Sequence, residues 1–320
     1  MHEPSMPADS LRHRADDLNA ETQRARRNAE GIECSDSFSP KLCVPLRPLR
    51  LCVKVASLNL AAALLLSCVF APRATAQPTN TFAFADFLLV PLRFHLLTAT
   101  NAPDIHTTLT TNDIARILPK MNRIWAQAGV HFYIESLRFE PALNTEDFWS
   151  KLPTLERATL LGLRPTNSIA TNAFNLYYTK KLRPNGIYFS PQGIFVKDTA
   201  SLRAVEGGLD EPIPRVSSHE LGHAFTLPHR QNVTNLMSSG NSSFWLNDEE
   251  IAKSRESLQK REWVEPAPAV LKRADELHAA KKPAEARALY ERLATLPLKA
   301  KEVEHAKKHA DVDTKLPAGK

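Results

Sequence analysis

Beyond residue 76 the chain has no cysteine: Cys34, Cys43, Cys52 and Cys68 all precede Gln77. A segment 77–320 without thiols forms no disulfide and offers no thiolate to a metal, so its stability has to come from a core large enough to do without staples. Long apolar runs are missing as well. A bilayer-spanning helix needs roughly 18 or more apolar residues. The best candidate, Val55 to Phe70, is interrupted by Ser57, Asn59 and Ser67 and followed at once by Pro72 and Arg73. Nor is there an excess of one charge. The formal net charge of +6 falls to +4 once residues 1–76 are set aside, and the basic residues are dispersed without a recognition motif, which argues against a nucleic-acid surface.

What precedes Gln77 reads as targeting rather than fold. Arg50 and Lys54 supply positive charge, Val55 to Phe70 an apolar stretch, and Ala74-Thr75-Ala76 a small-residue cleavage site, so residues 51–76 read as a signal peptide. The product is then expected to be secreted or periplasmic. Leu65-Leu66-Ser67-Cys68 offers an alternative, a lipid anchor through Cys68. Residues 1–50 are polar, rich in Arg and Glu and without sustained periodicity, as a non-native upstream extension or a disordered leader would be.

The chemistry is concentrated in His219-Glu220-Leu221-Gly222-His223-Ala224-Phe225-Thr226-Leu227-Pro228-His229. On a helix, residues four apart share a face, so His219 and His223 point the same way with Glu220 beside them. Val216, Leu221, Ala224 and Phe225 supply an apolar stripe, and Ser217 or Ser218 is the expected starting cap. Pro228 forbids continuation and pushes Leu227 out of the helical region, so the helix ends near Thr226 and His229 can return as a third ligand. Three imidazoles and one water make the open tetrahedral site of a catalytic Zn2+. A polar helix with incidental histidines is the bland alternative; in a chain of this composition the five-residue His-Glu-x-x-His part alone arises by accident only about 0.02 times.

These residues resemble the metzincin metallopeptidases, whose HExxHxxGxxH motif is followed by a Met-containing turn. The second part is matched by Thr234-Asn235-Leu236-Met237-Ser238, with Met237 eight residues after His229. The resemblance implies an α+β fold with a twisted mixed β-sheet, an active-site helix and a Met-turn whose Met237 floors the metal. It also implies a zinc-dependent endopeptidase in which His219, His223 and His229 hold the metal and Glu220 is the general base. Thr226 departs from the family's Gly, at a turn that often needs positive φ; a β-branched residue there costs about 1–3 kcal/mol. Zinc binding, on the order of 10 kcal/mol, can carry that cost. No tyrosine follows Met237 at the two-residue distance of astacin-like and serralysin-like members, and the missing cysteines exclude matrixin-type cysteine-switch latency. A gluzincin-type third ligand from Glu249 or Glu250 would leave His229 and Met237 unexplained; both acids suit the first turn of a helix starting at Asn247. The rival from another class is a catalytically slow, zinc-stabilised binding protein, against which the intact Glu220 speaks.

Around the motif the pattern predicts a strand over Phe84–Leu97, a helix capped by Thr111-Asn112-Asp113 and ended by Gly129, and a strand over Val130–Phe139. The Ile124–Val130 junction is similar to that after the first metzincin helix. A helix near Thr154–Leu163 follows, then strands at Ala173–Tyr178, Gly186–Phe189 and Gly193–Lys197, and a helix from about Asn247 to Arg261. Gly193-Ile194-Phe195-Val196 is either the edge strand along a substrate cleft or an ordinary buried strand. Residues 77–265 thus read as the metallopeptidase domain. Within 266–320, Ala269–Ala280 and Pro283–Thr295 pattern as a helical hairpin similar to one tetratricopeptide motif. A lone repeat has to dock on the catalytic domain, engage a protein partner through residues 269–297, or stay loosely ordered, and the final 20 or so residues are expected to be disordered. His95, His106 and His131 stand alone and are expected to be satisfied or solvated side chains. Asn232-Val233-Thr234 and Asn241-Ser242-Ser243 fit the glycosylation pattern, which matters only in a glycosylating pathway.

Overall fold

The computed structural model describes residues 82–146 and 157–312, so the readings made of residues 1–76 lie outside the described residues. Strand β1 (Leu88–Thr98) is buried along nearly its whole length. That is what a largely apolar run, here broken by Arg93 and His95, does at the centre of a sheet covered on both faces. It pairs in parallel with β2 (Val130–Pro141), with a register break between Leu92 and Arg93, and on its other side with β3 (Phe174–Thr179). β5 (Gly193–Lys197) continues the parallel set against β3, and β4 (Gly186–Phe189) closes that side antiparallel to β5. The order is β2-β1-β3-β5-β4, with the short β6 (Glu265–Pro266) pairing antiparallel to the start of β1. With seven α-helices among the described residues, the fold is mixed α+β around a mostly parallel mixed sheet.

Of the two readings of Gly193–Val196, the structure has the buried strand: it lies between β3 and β4, and the edge on this side of the sheet is β4. Both strands of this hairpin are short and similar in composition, and only pairing with the distant β3 decides which one turns outward.

Helix α1 (Thr111–Trp125) is capped by Thr110, whose hydroxyl accepts from the Asp113 N–H while the Asp113 carboxylate accepts from the Thr110 N–H, one residue earlier than the predicted cap. A 3₁₀ turn follows, and Gly129 ends it at φ +62°. Ile114, Ile117, Met121, Ile124 and Trp125 bury one side of α1 in the principal core, together with Leu88, Val90, Leu92 and Phe94 of β1. A short helix α2 (Arg157–Gly162) helps close a smaller cluster containing Leu97, Ile105, Tyr177 and Phe195. Two further helices, α3 (Pro212–Ala224) and α4 (Asp248–Gln259), complete the principal core.

The C-terminal helices α5 (Ala267–Ala279) and α6 (Pro283–Ala294) form the expected hairpin, and it is docked. Val270, Ala274, Leu289, Tyr290 and Leu293 pack with Phe84, Phe87 and Leu89, so the hairpin covers the side of β1 that α1 leaves open. The expected disorder of the last residues is corrected in part: Lys301–Val312 is a third helix, α7, whose Val303, Ala306 and Ala310 join the same core. Their three- and four-residue spacing is the physical reason. No described helix is long and apolar enough to cross a membrane.

Candidate metal centre

Helix α3 starts at Pro212, after Glu211. Proline is suited to the first helical position because its missing N–H is not needed there. The predicted caps Ser217 and Ser218 are instead buried inside the helix, and Ser217 shares a 2.9 Å hydrogen bond with the Tyr178 hydroxyl of β3. Arg215, His219 and His223 recur every four residues and so share one face.

The helix ends as a Schellman motif. Leu227 N–H reaches the Gly222 carbonyl (2.9 Å) and Thr226 N–H the His223 carbonyl (3.0 Å). Thr226 takes the left-handed position at φ +72°, where Gly is usual. The strain foreseen for this residue is therefore present, and the reversal it makes is what brings His229 back.

The three imidazoles converge. His223 Nε2 lies 3.2 Å from His219 Nε2 and 3.1 Å from His229 Nε2. Nitrogens at tetrahedral angles, about 2.0–2.1 Å from one zinc, would sit about 3.3–3.4 Å apart. The rings of His219 and His229 are roughly parallel, and that of His223 stands nearly perpendicular to both. The far nitrogens fix the tautomers. His219 Nδ1 lies 2.8 Å from the Leu236 carbonyl, and His223 Nδ1 lies 2.8 Å from that of Leu227. A carbonyl only accepts, so each Nδ1 carries the proton and each Nε2 presents a lone pair. Arg215 Nη1 also approaches His219 Nδ1, at 3.3 Å, but the carbonyl contact is shorter. Burial, helped by the Arg215 cation, pushes His219 down to about 3, and burial also lowers His223, so both are neutral at ordinary pH. Two lone pairs aimed at each other across 3.2 Å repel; a cation between them removes the repulsion. The triad runs from buried His219 through half-buried His223 to exposed His229, which leaves one side open to solvent.

Glu220 is buried beside the triad, and its carboxyl is pushed up to about 8 by desolvation, opposed by the Arg215 cation and the Tyr188 backbone N–H of β4. A divalent cation at the triad would favour its charged form. Gly186 makes the close approach of β4 possible: a Cβ there would lie 2.8 Å from Glu220 Cγ and 2.6 Å from Val216 Cγ1.

Met237 is fully buried, and a Cβ at Gly222 would come within 2.5 Å of its sulfur. The thioether therefore packs against the helix backbone between His219 and His223. Arg215 ties the turn to the helix. Its buried guanidinium donates to the carbonyls of Leu236 (2.7 Å), Ser243 (3.0 Å) and Ser238, and burial lowers it to about 10. Asn235 holds the turn from the other side, accepting from Met237 N–H (2.6 Å) and donating to Glu250 Oε2 (2.7 Å).

Glu249 and Glu250 sit in the first turn of α4 and both pair with Arg230, Glu250 also completing the Asn247 capping box. Among the described residues, His219, His223 and His229 are the one group whose ligand atoms meet. The other histidines have ordinary partners: His95 lies between Glu140 and Asn175, His131 meets Thr295, and His106 accepts from Ala99 N–H. Sequence reasoning missed Arg215, Gly186, Gly222 and Asn235. Gly222 left a signal, a glycine inside a helical pattern; Arg215 left only its place one turn before His219. No family model and no curated protein matches this chain.

Proposed function

We propose that the chain is a zinc-dependent endopeptidase of metzincin type, exported through the signal peptide at residues 51–76. The observation that carries the proposal is the convergence of three Nε2 atoms, two of them on rings whose Nδ1 protons are committed to backbone carbonyls. Neutral, pre-oriented imidazoles with one open side suit a catalytic rather than a closed structural site. Met237 beneath the ligand helix and the left-handed turn at Thr226 support the same family reading.

When bound, zinc supplies Lewis acidity, lowering the pKa of water in its open position to about 7 and polarising a carbonyl. Glu220 accepts the water proton and passes it to the leaving amine. The Tyr188 N–H and the flush packing over Gly186 hold the carboxylate in place for that transfer. β4 ends this side of the sheet, so an extended peptide added along it would lie beside the helix that carries the histidines.

The test is Glu220→Gln, which keeps the shape but removes the base. It should retain zinc while peptide hydrolysis falls by at least about 100-fold. Near-native hydrolysis by this variant would contradict the mechanism. Zinc retention without hydrolysis by either form across a diverse peptide library would favour a zinc-stabilised binding protein.

A further inference from the structure

A cavity of about 310 Å³ lies between the β4–β5 hairpin, the start of β3 and the segment after α4. Two of its lining residues also touch the histidine site. Tyr188 holds Glu220 through its backbone N–H. Arg261 donates from Nη2 to the carbonyl of Ala224 (3.2 Å), the residue after His223. The cavity is at the small end of the range for ligand pockets, about 300–1,000 Å³, room for one side chain rather than a folded partner.

Arg261 is unusual within it. The guanidinium lies 4.8 Å from the Phe174 ring centroid and 5.5 Å from that of Trp263, two rings that meet edge to face. Capping the end of α3 uses one of its five N–H donors. Its Nε is buried without a hydrogen-bond partner. Elsewhere Arg230, Arg116 and Arg273 each pair with a carboxylate. A half-buried cation with an unpartnered Nε, lining a cavity walled by aromatic rings, is a recognition element for a planar anion.

We propose that this cavity receives a carboxylate of the peptide substrate, seated on Arg261 and flanked by Phe174 and Trp263, and so selects acidic peptides. The inference rests on the peptidase reading for its placement beside a scissile bond. The carboxylate comes from an acidic side chain or from a chain terminus, and comparison of amidated with free-acid peptides separates the two.

The experiment uses the full-length zinc-loaded protein and peptides with Glu, Gln or Lys placed in turn at each position flanking the cleaved bond. Glu should be preferred over Gln at one position by about ten-fold or more in kcat/KM. Arg261→Gln should abolish that preference and Arg261→Lys should keep part of it, both with unchanged zinc content. Binding is read separately in Glu220→Gln, without turnover, by tryptophan fluorescence with Trp263→Phe as control. Cleavage without charge preference, or a preference that survives Arg261→Gln, overturns the cavity assignment and leaves the peptidase reading intact. If nothing is cleaved, the peptidase reading fails. A saturable, Arg261-dependent response to Glu peptides alone would then still support the anion site, and no response would overturn it.

Discussion

His219, His223 and His229 have ring centroids 4.6–5.2 Å apart; in the C-terminal helices His309 lies 4.5 Å from His305 and 4.8 Å from His278, a spacing no looser. The two sets differ in what holds the rings. In the first, backbone carbonyls of the turn and of the helix end take the Nδ1 protons of two rings and aim Nε2 at one point. In the second, His305 Nε2 is spent on Asp275 (2.8 Å), which also accepts from the Tyr290 hydroxyl (2.6 Å), and His309 lies flat against the Tyr290 ring. Crowding alone makes a packed aromatic cluster. Ligation requires that the other nitrogen of each ring be committed elsewhere.

The largest effect should come from breaking the first set. His223→Ala or His229→Ala should weaken zinc binding by more than about 100-fold, beyond the loss expected from outer partners, whereas His305→Ala with His309→Ala should leave about one zinc per chain. Equilibrium dialysis against a chelator measures both. Zinc lost equally from the two sets would erase the contrast.

A lone buried histidine sharpens it from another side. His131, on β2 and in contact with Thr295, is lowered to about 4 by burial alone. Its folded pKa lies below the unfolded 6.5, so the stability it contributes is present above about 6.5 and is lost as pH falls toward 4, on the order of 3 kcal/mol. His131→Phe should flatten the denaturation midpoint over that pH window. An unchanged pH profile would show that His131 stays accessible to protons.

The histidines were legible in sequence because their short-range spacing and the Pro228 stop determine them, whereas the places of Met237 and of the positive φ at Thr226 came only from what the metzincin resemblance implies. The beginning of α3 was not legible. Ser217 and Ser218 look like caps, but Tyr178 takes Ser217 into the core, and Pro212 was the better local signal. Arg215 was invisible because its partners are carbonyls 21 to 28 residues later in the chain. The edge position of β4 and the docking of α5–α7 depend on non-local pairing and packing, which no window of sequence contains. The stripe of α7, by contrast, was present in Val303, Ala306 and Ala310 and was overshadowed by the polar composition around it.

Smaller effects test the floor and the turn of the first set. Gly222→Ala should cost about 1–3 kcal/mol, since its Cβ meets Met237. The Gly222→Ala/Met237→Val pair should lose less than the sum of the single changes, read from urea midpoints. Strict additivity would show that the two residues do not touch. Thr226→Gly should gain about 0.5–1 kcal/mol by relieving the left-handed conformation of an exposed residue. A loss would mean that the threonine side chain holds the turn.

In the proposed site, three imidazoles hold one zinc and leave a position open. X-ray absorption at the zinc edge, on protein loaded with one zinc per chain, tests it directly. The expected result is four light-atom ligands at about 2.0–2.1 Å, three of them imidazole, with the imidazole count falling in His229→Ala. Four protein ligands, or a spectrum unchanged in His229→Ala, would contradict it.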